Sequence, residues 1–313
     1  MRPFSPTVQA APRAAVMLRD RVGPLGLVGV LGGMGPLATI DFMQKVMAAT
    51  KGTCDQEHVP LIVSSIPQIP DRTAAYRGSG PSPLPALLAC GERLVLAGAG
   101  LIVMPCNTAH LWFDELQQAL GVPMIHMVEA ALQDALHGTL QGMLRHRDNP
   151  FTAITQAPAT DATSTAPAPA KPQPPSPRFG LLATGATLES GLYVQLRHAQ
   201  SMSVATVYAP ANSSANAALA IDWLLPSDAQ IAHWVSPGIA AIKAGDLSTG
   251  EALLQLAAQD LALRGAQRIV LGCTEIPLVL HSGNAPVPVI DATTSLAQRA
   301  VAWSLAQTRF RGA

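Results

Sequence analysis

Two cysteines stand where a thiol could do chemistry, Cys106 in LIVMPCNTAH and Cys273 in RIVLGCTEIP. Each follows an apolar run of the kind that forms a buried strand, and each is followed within two residues by a threonine. A strand-to-helix junction offers free backbone N–H groups and the positive end of a helix dipole, and we expect both to favour the thiolate. If the two sulfurs face each other, one can remove a proton from a carbon while the other returns a proton to the opposite face, which inverts a stereocentre.

Polar side chains follow both cysteines. Asn107 and Thr108 come after the first, and Thr274 and Glu275 come after the second. Hydroxyl and amide groups at these positions could donate hydrogen bonds to a substrate carboxylate, or they could cap the helices that begin there. The two roles are compatible, and we predict that all four residues line a substrate-binding site.

A glycine-rich turn, LGGMGP, follows the first apolar run. Its spacing is similar to a dinucleotide-binding fingerprint, but that fingerprint requires an acid at the end of the second strand, and none occurs there before Asp71. We therefore expect Gly33 and Met34 to bring the backbone close to a small anionic ligand, and we place Thr184, from the matching stretch of the second half, at the same site. Arg72 belongs either to a surface ion pair or to a clamp for a carboxylate, and the sequence leaves both open.

The elements that must position these residues come in two similar halves. LGLVGVLGGMGPLATIDF matches RFGLLATGATLESGLY, AGAGLIVMPCNTAH matches LRGAQRIVLGCTEIP, and VPMIHMVEAALQDAL matches VPVIDATTSLAQRAV. Strand-like runs alternate with helix-like stretches in both halves. The repeat therefore predicts an α/β protein of two pseudo-symmetric domains, each a mostly parallel sheet flanked by helices, with the active site in the cleft between them. The predicted strands include residues 25–30, 59–64, 101–104, 268–271 and 287–290, and the predicted helices include 84–97 and 251–264.

Two stretches differ from the rest in composition. Residues 1–24 carry scattered arginines without the apolar segment of a secretory signal, so we expect a disordered leader, with a targeting peptide as the alternative. Residues 145–177 are rich in proline, alanine and threonine, and this composition predicts a disordered linker. The linker separates a first domain, residues 25–144, from a second domain, residues 178–286.

Charge and cysteine usage exclude several classes of protein. The 20 lysines and arginines balance 20 aspartates and glutamates, so neither nucleic acid nor a membrane surface is expected as a partner. No apolar run is long enough to span a bilayer. The four cysteines lack metal-ligand spacing, so we predict no metal site, and free thiols fit a cytoplasmic location. We assign Cys54 no role and expect Cys90 to be a buried structural cysteine.

The two cysteine motifs resemble the signatures of the aspartate/glutamate racemase family, the cofactor-independent two-cysteine enzymes. LGGMGPLATIDF, DQEHVP and PQIPDRTAA resemble its aspartate racemase branch. The resemblance implies an amino-acid racemase for aspartate, or for aspartate and glutamate, that works as a homodimer without any cofactor. It implies that Cys106 and Cys273 are the acid/base pair and that Arg72 holds the side-chain carboxylate of the substrate. It also implies that the last strand and helix, residues 287–310, return to the first domain.

One segment departs from the family pattern. Within LLATGATLESGLY, relatives usually have Asp-Gly-Thr followed two residues later by lysine, whereas this chain has Gly185, Ala186 and, at the lysine position, Glu189. Because that lysine would attract acidic substrates, its replacement leaves a broader range of amino acids open. Two further alternatives are a superfamily decarboxylase or cis–trans isomerase and a two-lobed binding protein, and the matched pair of cysteines disfavours both.

Overall fold

A computed structural model of the protein describes residues 25–147, 176–195 and 221–310, with the backbone alone for 138–147 and 308–310. The predicted leader, residues 1–24, lies outside the described residues, and so does most of the predicted linker. Residues 145–147 continue a helix, so the linker boundary at residue 145 is placed too early.

Two parallel sheets form the framework. The first has the strand order β2-β1-β3, and Met124 adds an isolated parallel bridge to Ile102 beside β3. The second has the order β5-β4-β6-β7. The bridge at Met124 stands where β7 stands in the second sheet, so the two sheets share one topology, as the sequence repeat predicts. The strands are β1 (Val28–Gly32), β2 (Leu61–Ser65), β3 (Leu101–Val103), β4 (Arg178–Ala183), β5 (Asp222–Leu224), β6 (Arg268–Gly272) and β7 (Val289–Asp291).

Helices cover both faces of the sheets, because the strands are apolar on both sides. Val28 and Val30 of β1 face one buried cluster, and Leu31 faces another. The helices are α1 (Pro36–Ala49), α2 (Arg72–Tyr76), α3 (Leu84–Leu96), α4 (Phe113–Leu120), α5 (Met127–Arg147), α6 (Gly185–Glu189), α7 (Leu192–Gln195), α8 (Asp228–Gln230), α9 (Ser236–Lys243), α10 (Leu247–Leu263) and α11 (Ala292–Phe310). Among the residues that the structure describes, none of the helices has the length and apolar character needed to cross a membrane.

Two helices are exchanged between the domains: each packs against elements of the domain that it does not follow along the chain. Helix α5 follows the first sheet along the chain but packs on β6 and β7 of the second sheet. Helix α11 follows β7 and packs chiefly on α1 and α5, with further contacts to β3 of the first sheet and to β6 and β7 of the second. The pair is joined by Arg299 of α11, whose guanidinium donates to Asp134 of α5 at 2.7 Å. The exchange makes one continuous apolar core out of residues from both sheets.

The expectation that residues 287–310 return to the first domain is wrong for the strand. β7 pairs with β6, with Ile269 opposite Val289, so the second sheet extends past residue 286. The apolar run completes the second sheet in the way that Met124 completes the first, and only α11 crosses over. A smaller difference concerns β1, which begins at Val28 rather than residue 25 because the Gly26 N–H donates to the Ser304 carbonyl of α11 instead of joining the sheet.

Trp303 fixes the returning helix to the first domain. Its ring lies over Gly26 and Gly100, where a Cβ atom would come within 2.5 Å and 3.0 Å of the ring. The side chain is only 8% exposed. A large aromatic group in such a position contributes to stability by apolar burial and by packing against backbone that carries no side chain.

We expect Trp303→Ala to lower the free energy of unfolding by about 3–5 kcal/mol, because it leaves a cavity beneath α11. Leu305→Ala, on the exposed side of the same helix, is the matched control and should change stability by about 0.5 kcal/mol or less. Urea denaturation followed by circular dichroism measures both. Equal effects of the two substitutions would contradict this account of how the helix is held.

Candidate active site

Both cysteines lie at the carboxyl ends of equivalent strands and line the same cavity. Cys273 directly follows β6, and Cys106 follows β3 by three residues. Both are nearly fully buried, and both are free thiols. The cavity between the domains is lined by Met34, Asp71, Arg72, Thr73, Cys106, Asn107, Thr108, Thr184, Lys243, Cys273, Thr274 and Glu275. It therefore brings together all the residues assigned to the site from the sequence except Gly33.

Gly33 has a different task from the one predicted. Its φ of +91° is a backbone conformation that glycine adopts readily and other residues rarely adopt. A Cβ atom at this position would also overlap the backbone of Ile66. Its N–H donates to the hydroxyl of Thr39 at 2.8 Å and is not available to an anion. Gly33 thus shapes the turn after β1 and lines a neighbouring cavity, while the N–H of Gly35 reaches into the site and donates to Glu275 at 3.2 Å.

The pKa values of the two thiols are raised. Burial raises the pKa of Cys106, and the guanidinium of Arg72 opposes the rise. Burial also raises the pKa of Cys273 well above its ordinary value, with a further rise from the carboxylate of Glu275 and an opposing effect of Lys243. Desolvation of the charged sulfurs dominates, although the backbone N–H groups of Ala109 and Glu275 at the two junctions lower the pKa values as expected. The net shift is therefore opposite to the one expected from the junctions alone.

Glu275 contacts the second thiol directly. The Cys273 thiol donates to Glu275 Oε2 at 3.1 Å, and the Thr274 hydroxyl donates to the same oxygen at 3.3 Å. Together with the Gly35 N–H on Oε1, these contacts occupy both oxygens of a carboxylate that is only 4% exposed. Glu275 is thus placed to accept the proton of Cys273.

Arg72 lies inside the cavity rather than on the surface. Its Nη1 donates to the carbonyls of Ile69 and Pro70 at 3.0 and 2.9 Å, which fixes the guanidinium at the start of α2. Its Nε is buried without a hydrogen-bond partner, and within the described ranges no carboxylate forms an ion pair with it. A buried guanidinium in this state is a site for an anion.

Hydroxyl and amide groups from both domains form a hydrogen-bonded cluster beside the cavity, and Asn107, Thr108 and Thr184 of this cluster line it. The hydroxyls of Thr108, Thr184 and Thr187 lie 2.9–3.0 Å from one another and join the first domain to the second. Asn107 accepts a hydrogen bond of 2.6 Å from the Tyr193 hydroxyl on its Oδ1, so its orientation is fixed. The buried Nδ2 of Asn107 has no partner and remains available to donate.

His110 holds the backbone of Cys106 in place. Its Nε2 accepts the Met127 N–H at 3.0 Å, so Nδ1 carries the proton and donates to the Cys106 carbonyl at 2.9 Å. Burial lowers the pKa of His110 to about 4, and the imidazole therefore stays neutral at physiological pH. The described residues contain no cluster of three or more His, Cys, Asp or Glu side chains that could hold a metal ion.

The sequence model of Asp/Glu/hydantoin racemases matches residues 31–144 and 148–300 of the chain. The chain belongs to this racemase family. The membership confirms the family expected from the two cysteine motifs, and with it an isomerase.

Individual relatives of this racemase align with nearly its whole length. The broad specificity amino-acid racemase RacX of Bacillus subtilis (strain 168) is 25% identical over 291 residues, which is 90% of this chain and 99% of RacX. The structure of Picrophilus torridus aspartate racemase has a TM-score of 0.64 at 23% identity and covers 89% of this chain and 94% of its own. An aspartate racemase homologue from Pyrococcus horikoshii OT3 has a TM-score of 0.56 at 18% identity, with coverage of 90% and 99%. The two structures confirm the fold of this chain.

Glu189, which replaces the usual lysine of the family, does not line the cavity of this racemase. It accepts hydrogen bonds from the Arg77 guanidinium, one of them from Nε at 3.2 Å, in a half-exposed ion pair that joins α2 to α6. Gly185 makes room for the same arginine, since a Cβ at Gly185 would lie 2.6 Å from Arg77 Nη2. Both departures from the family pattern therefore serve one contact between the domains.

Three residues of the cavity, Asp71, Thr73 and Lys243, were not assigned to the site from the sequence, and Lys243 is the most distant of them from the predicted motifs. It is the last residue of α9, far along the chain from the strand-end motifs, and as a lysine at a helix C-terminus it is indistinguishable from a surface residue that complements the helix dipole. Its side chain lines both the cavity around the thiols and the neighbouring one. Lys243 is exposed at its outer side, and partial desolvation lowers its pKa, but the negative charges of Glu275 and of the two sulfurs outweigh this effect and raise the pKa.

The space around the thiols is small. The inner cavity has a volume of about 20 Å³, enough for about one water molecule, and a cavity of about 320 Å³ lies beside it. Asp71, Arg72, Lys243 and Glu275 line both cavities. The inner cavity is therefore too small for an amino acid, whereas the larger one beside it has room for one.

We expect Glu275→Gln to make Cys273 more reactive toward iodoacetamide at neutral pH. The carboxylate raises the pKa of Cys273, so an amide of the same shape lowers that pKa and increases the thiolate fraction. Peptide mass spectrometry follows the alkylation rate, with the exposed Cys54 as a reference within each sample. Glu115→Gln, on the exposed side of α4, is the control, and an unchanged rate at Cys273 in the Glu275 variant would contradict the coupling.

Proposed function

We propose that the chain is an amino-acid racemase that inverts Cα of aspartate or glutamate by two-base proton transfer between Cys106 and Cys273. The observation that supports this most strongly is the pair of buried thiols, presented to one cavity from equivalent strand ends. A single base tends to return a proton to the face from which it came, whereas two opposed groups serve opposite faces. A thiolate on one side and a thiol on the other together fulfil both tasks.

In the proposed reaction the two thiols take up one proton and release one, so no other proton donor or acceptor is needed during turnover. The thiolate of one cysteine takes the α-proton, the thiol of the other gives its proton to the opposite face of Cα, and the enzyme is left with the two protonation states exchanged. The carboxylate of Glu275 is the nearest acceptor for the proton of Cys273, at 3.1 Å from Sγ. The raised pKa of both thiols makes their thiolates stronger bases, which suits a weakly acidic carbon.

The proposed substrate position follows the unpartnered Nδ2 of Asn107 and three hydroxyls of the same cavity, which would exchange their present hydrogen bonds for bonds to the substrate. Asn107 Nδ2 and the hydroxyls of Thr108, Thr184 and Thr274 would hold the α-carboxylate and stabilise the negative charge that develops on it as the α-proton leaves. The unpartnered Nε of Arg72 would bind the side-chain carboxylate. Met34 lines the same cavity and would contact the bound substrate there. No step of this scheme uses a cofactor.

The relatives support two substrate ranges. An aspartate racemase among the structural neighbours agrees with the proposed dicarboxylate substrate, and the broad specificity named for RacX agrees with a wider range. The buried arginine without an ionic partner favours the first. The homodimer and the cytoplasmic location expected from the sequence stay predictions.

Proton NMR in heavy water with single enantiomers tests the proposed function. Incubation with L-aspartate should replace the α-proton by deuterium and produce the D-enantiomer, which chiral chromatography identifies. The same should hold from D-aspartate. Absence of exchange with aspartate, glutamate and a broad panel of amino acids would rule out racemisation.

We expect Cys106→Ala and Cys273→Ala each to abolish racemisation in both directions, because each turnover uses one sulfur as the base and the other as the acid. Chiral chromatography of product from each enantiomer measures this, and Cys54→Ala should retain the wild-type rate because Cys54 is exposed outside the cavity. Full activity of either alanine variant would exclude the two-base scheme.

A further inference from the structure

We propose that Tyr193 is a positioning residue for racemisation, because its hydroxyl holds the Asn107 amide with Nδ2 turned toward the substrate carboxylate. Tyr193 does not line the cavity and would act only through Asn107. The inference rests on the proposed racemase function. It concerns the last residue of LLATGATLESGLY, a tyrosine to which neither the cysteine motifs nor the glycine-rich turn gives a role.

The first support is the direction of the hydrogen bond between the two side chains. The Tyr193 hydroxyl lies 2.6 Å from Oδ1 of Asn107, and both residues are buried. Burial raises the pKa of Tyr193, and the negative charges of Asp291 and Cys273 raise it further, so the phenol keeps its proton and acts as a donor. A reversed amide would leave that proton without the amide oxygen as its acceptor. Tyr193 therefore keeps Oδ1 on its own side and Nδ2 on the other.

The second support is that Tyr193 is itself held in place. Its side chain is fully buried and belongs to the apolar core that both domains share. The ring meets Trp223 of β5 edge-on, with 6.2 Å between the ring centres. It also lies over Gly272, the last residue of β6, where a Cβ atom would come within 3.0 Å of the ring. A hydroxyl on a ring that is packed in this way can define the position of the group that it contacts.

The third support is the state of the amide nitrogen. Asn107 lines the cavity around the thiols, and its Nδ2 is buried without a hydrogen-bond partner among the described residues. A buried N–H group without an acceptor is unfavourable, so this atom favours a ligand that can accept a hydrogen bond. Because Asn107 directly follows Cys106, a carboxylate bound to Nδ2 would lie beside one of the two sulfurs.

The contact also ties the site to the arrangement of the domains. Tyr193 belongs to α7 of the second domain, whereas Asn107 belongs to the first, so the amide is oriented only while the two domains are together. The ring of Tyr193 touches Gly272, which precedes Cys273, and a purely structural role through this contact is the alternative. Removal of the hydroxyl separates the two roles, because the hydroxyl alone reaches Asn107.

A double-mutant cycle tests the inference. Chiral chromatography gives kcat/KM for wild type, Tyr193→Phe, Asn107→Ala and the double variant, with L-aspartate or with the amino acid that wild type racemises fastest. We expect Tyr193→Phe to lower kcat/KM by about 10- to 100-fold, since a substrate bound to Nδ2 then leaves Oδ1 buried without a donor. In the Asn107→Ala background, the same substitution should change kcat/KM by no more than about 2-fold.

Tyr76→Phe, on the exposed side of α2, is the matched control and should retain the wild-type kcat/KM. An equal loss from Tyr193→Phe in both backgrounds would show that the hydroxyl acts by a route other than Asn107. That result, or wild-type activity of Tyr193→Phe, would overturn the inference while leaving the racemase function intact.

A measurement without ligand makes the test independent of turnover. In protein labelled at the side-chain nitrogens of asparagine, the Asn107 amide gives the pair of NMR signals that is missing from Asn107→Ala. We expect this pair to shift or broaden in Tyr193→Phe and to stay in place in Tyr76→Phe, and an unchanged pair in Tyr193→Phe would overturn the inference. If wild type exchanges no α-proton with any amino acid, the proposed function fails, and the spectra still decide whether Tyr193 orients Asn107.

Discussion

The position of both thiols depends on the exchange of α5 and α11 between the two sheets. Each sulfur lies at the end of its own strand, and the strands belong to different sheets, so the distance between the sulfurs is set by how the sheets are joined. The exchanged helices join them through one apolar core that contains residues of both, such as Val30 and Val270. A covalent linker of any length could not fix this geometry, because it would leave the sheets free to rotate.

Burial of the sulfurs has opposing effects on the proposed chemistry. It raises the pKa values of both thiols and so reduces the thiolate available at neutral pH, but a thiolate formed there is a stronger base. The cations around the cavity oppose this rise, Arg72 mainly at Cys106 and Lys243 at Cys273. In the proposed complex Arg72 would also bind the substrate, so substrate binding and activation of Cys106 would depend on the same positive charge. The ionic state of the cysteines and the charge of the ligand are therefore coupled.

The sequence repeat was enough to predict two parallel sheets and a shared cavity for Cys106 and Cys273, because strand ends in equivalent units occupy equivalent places. The pairing of β7 with β6 was missed, since an apolar run does not reveal its neighbour. The direction of the thiol pKa shifts was also missed, because local dipoles can be inferred from sequence, whereas the depth of burial depends on packing. Lys243 was missed because only the tertiary fold brings the end of α9 to the cavity.

Gly185 and Glu189, which differ from the usual residues of the family, contribute to one contact with Arg77. A glutamate alone at position 189 would place a negative charge near a site for acidic substrates, and Arg77 compensates that charge outside the cavity. Gly185 is part of the same change, because any larger residue would occupy the space of the Arg77 guanidinium. Position 189 thus carries an anion that joins the two domains, and its charge does not reach the cavity. The positive side chains that line the cavity, Arg72 and Lys243, come from α2 and α9, so the charge around the thiols does not depend on the residue at position 189.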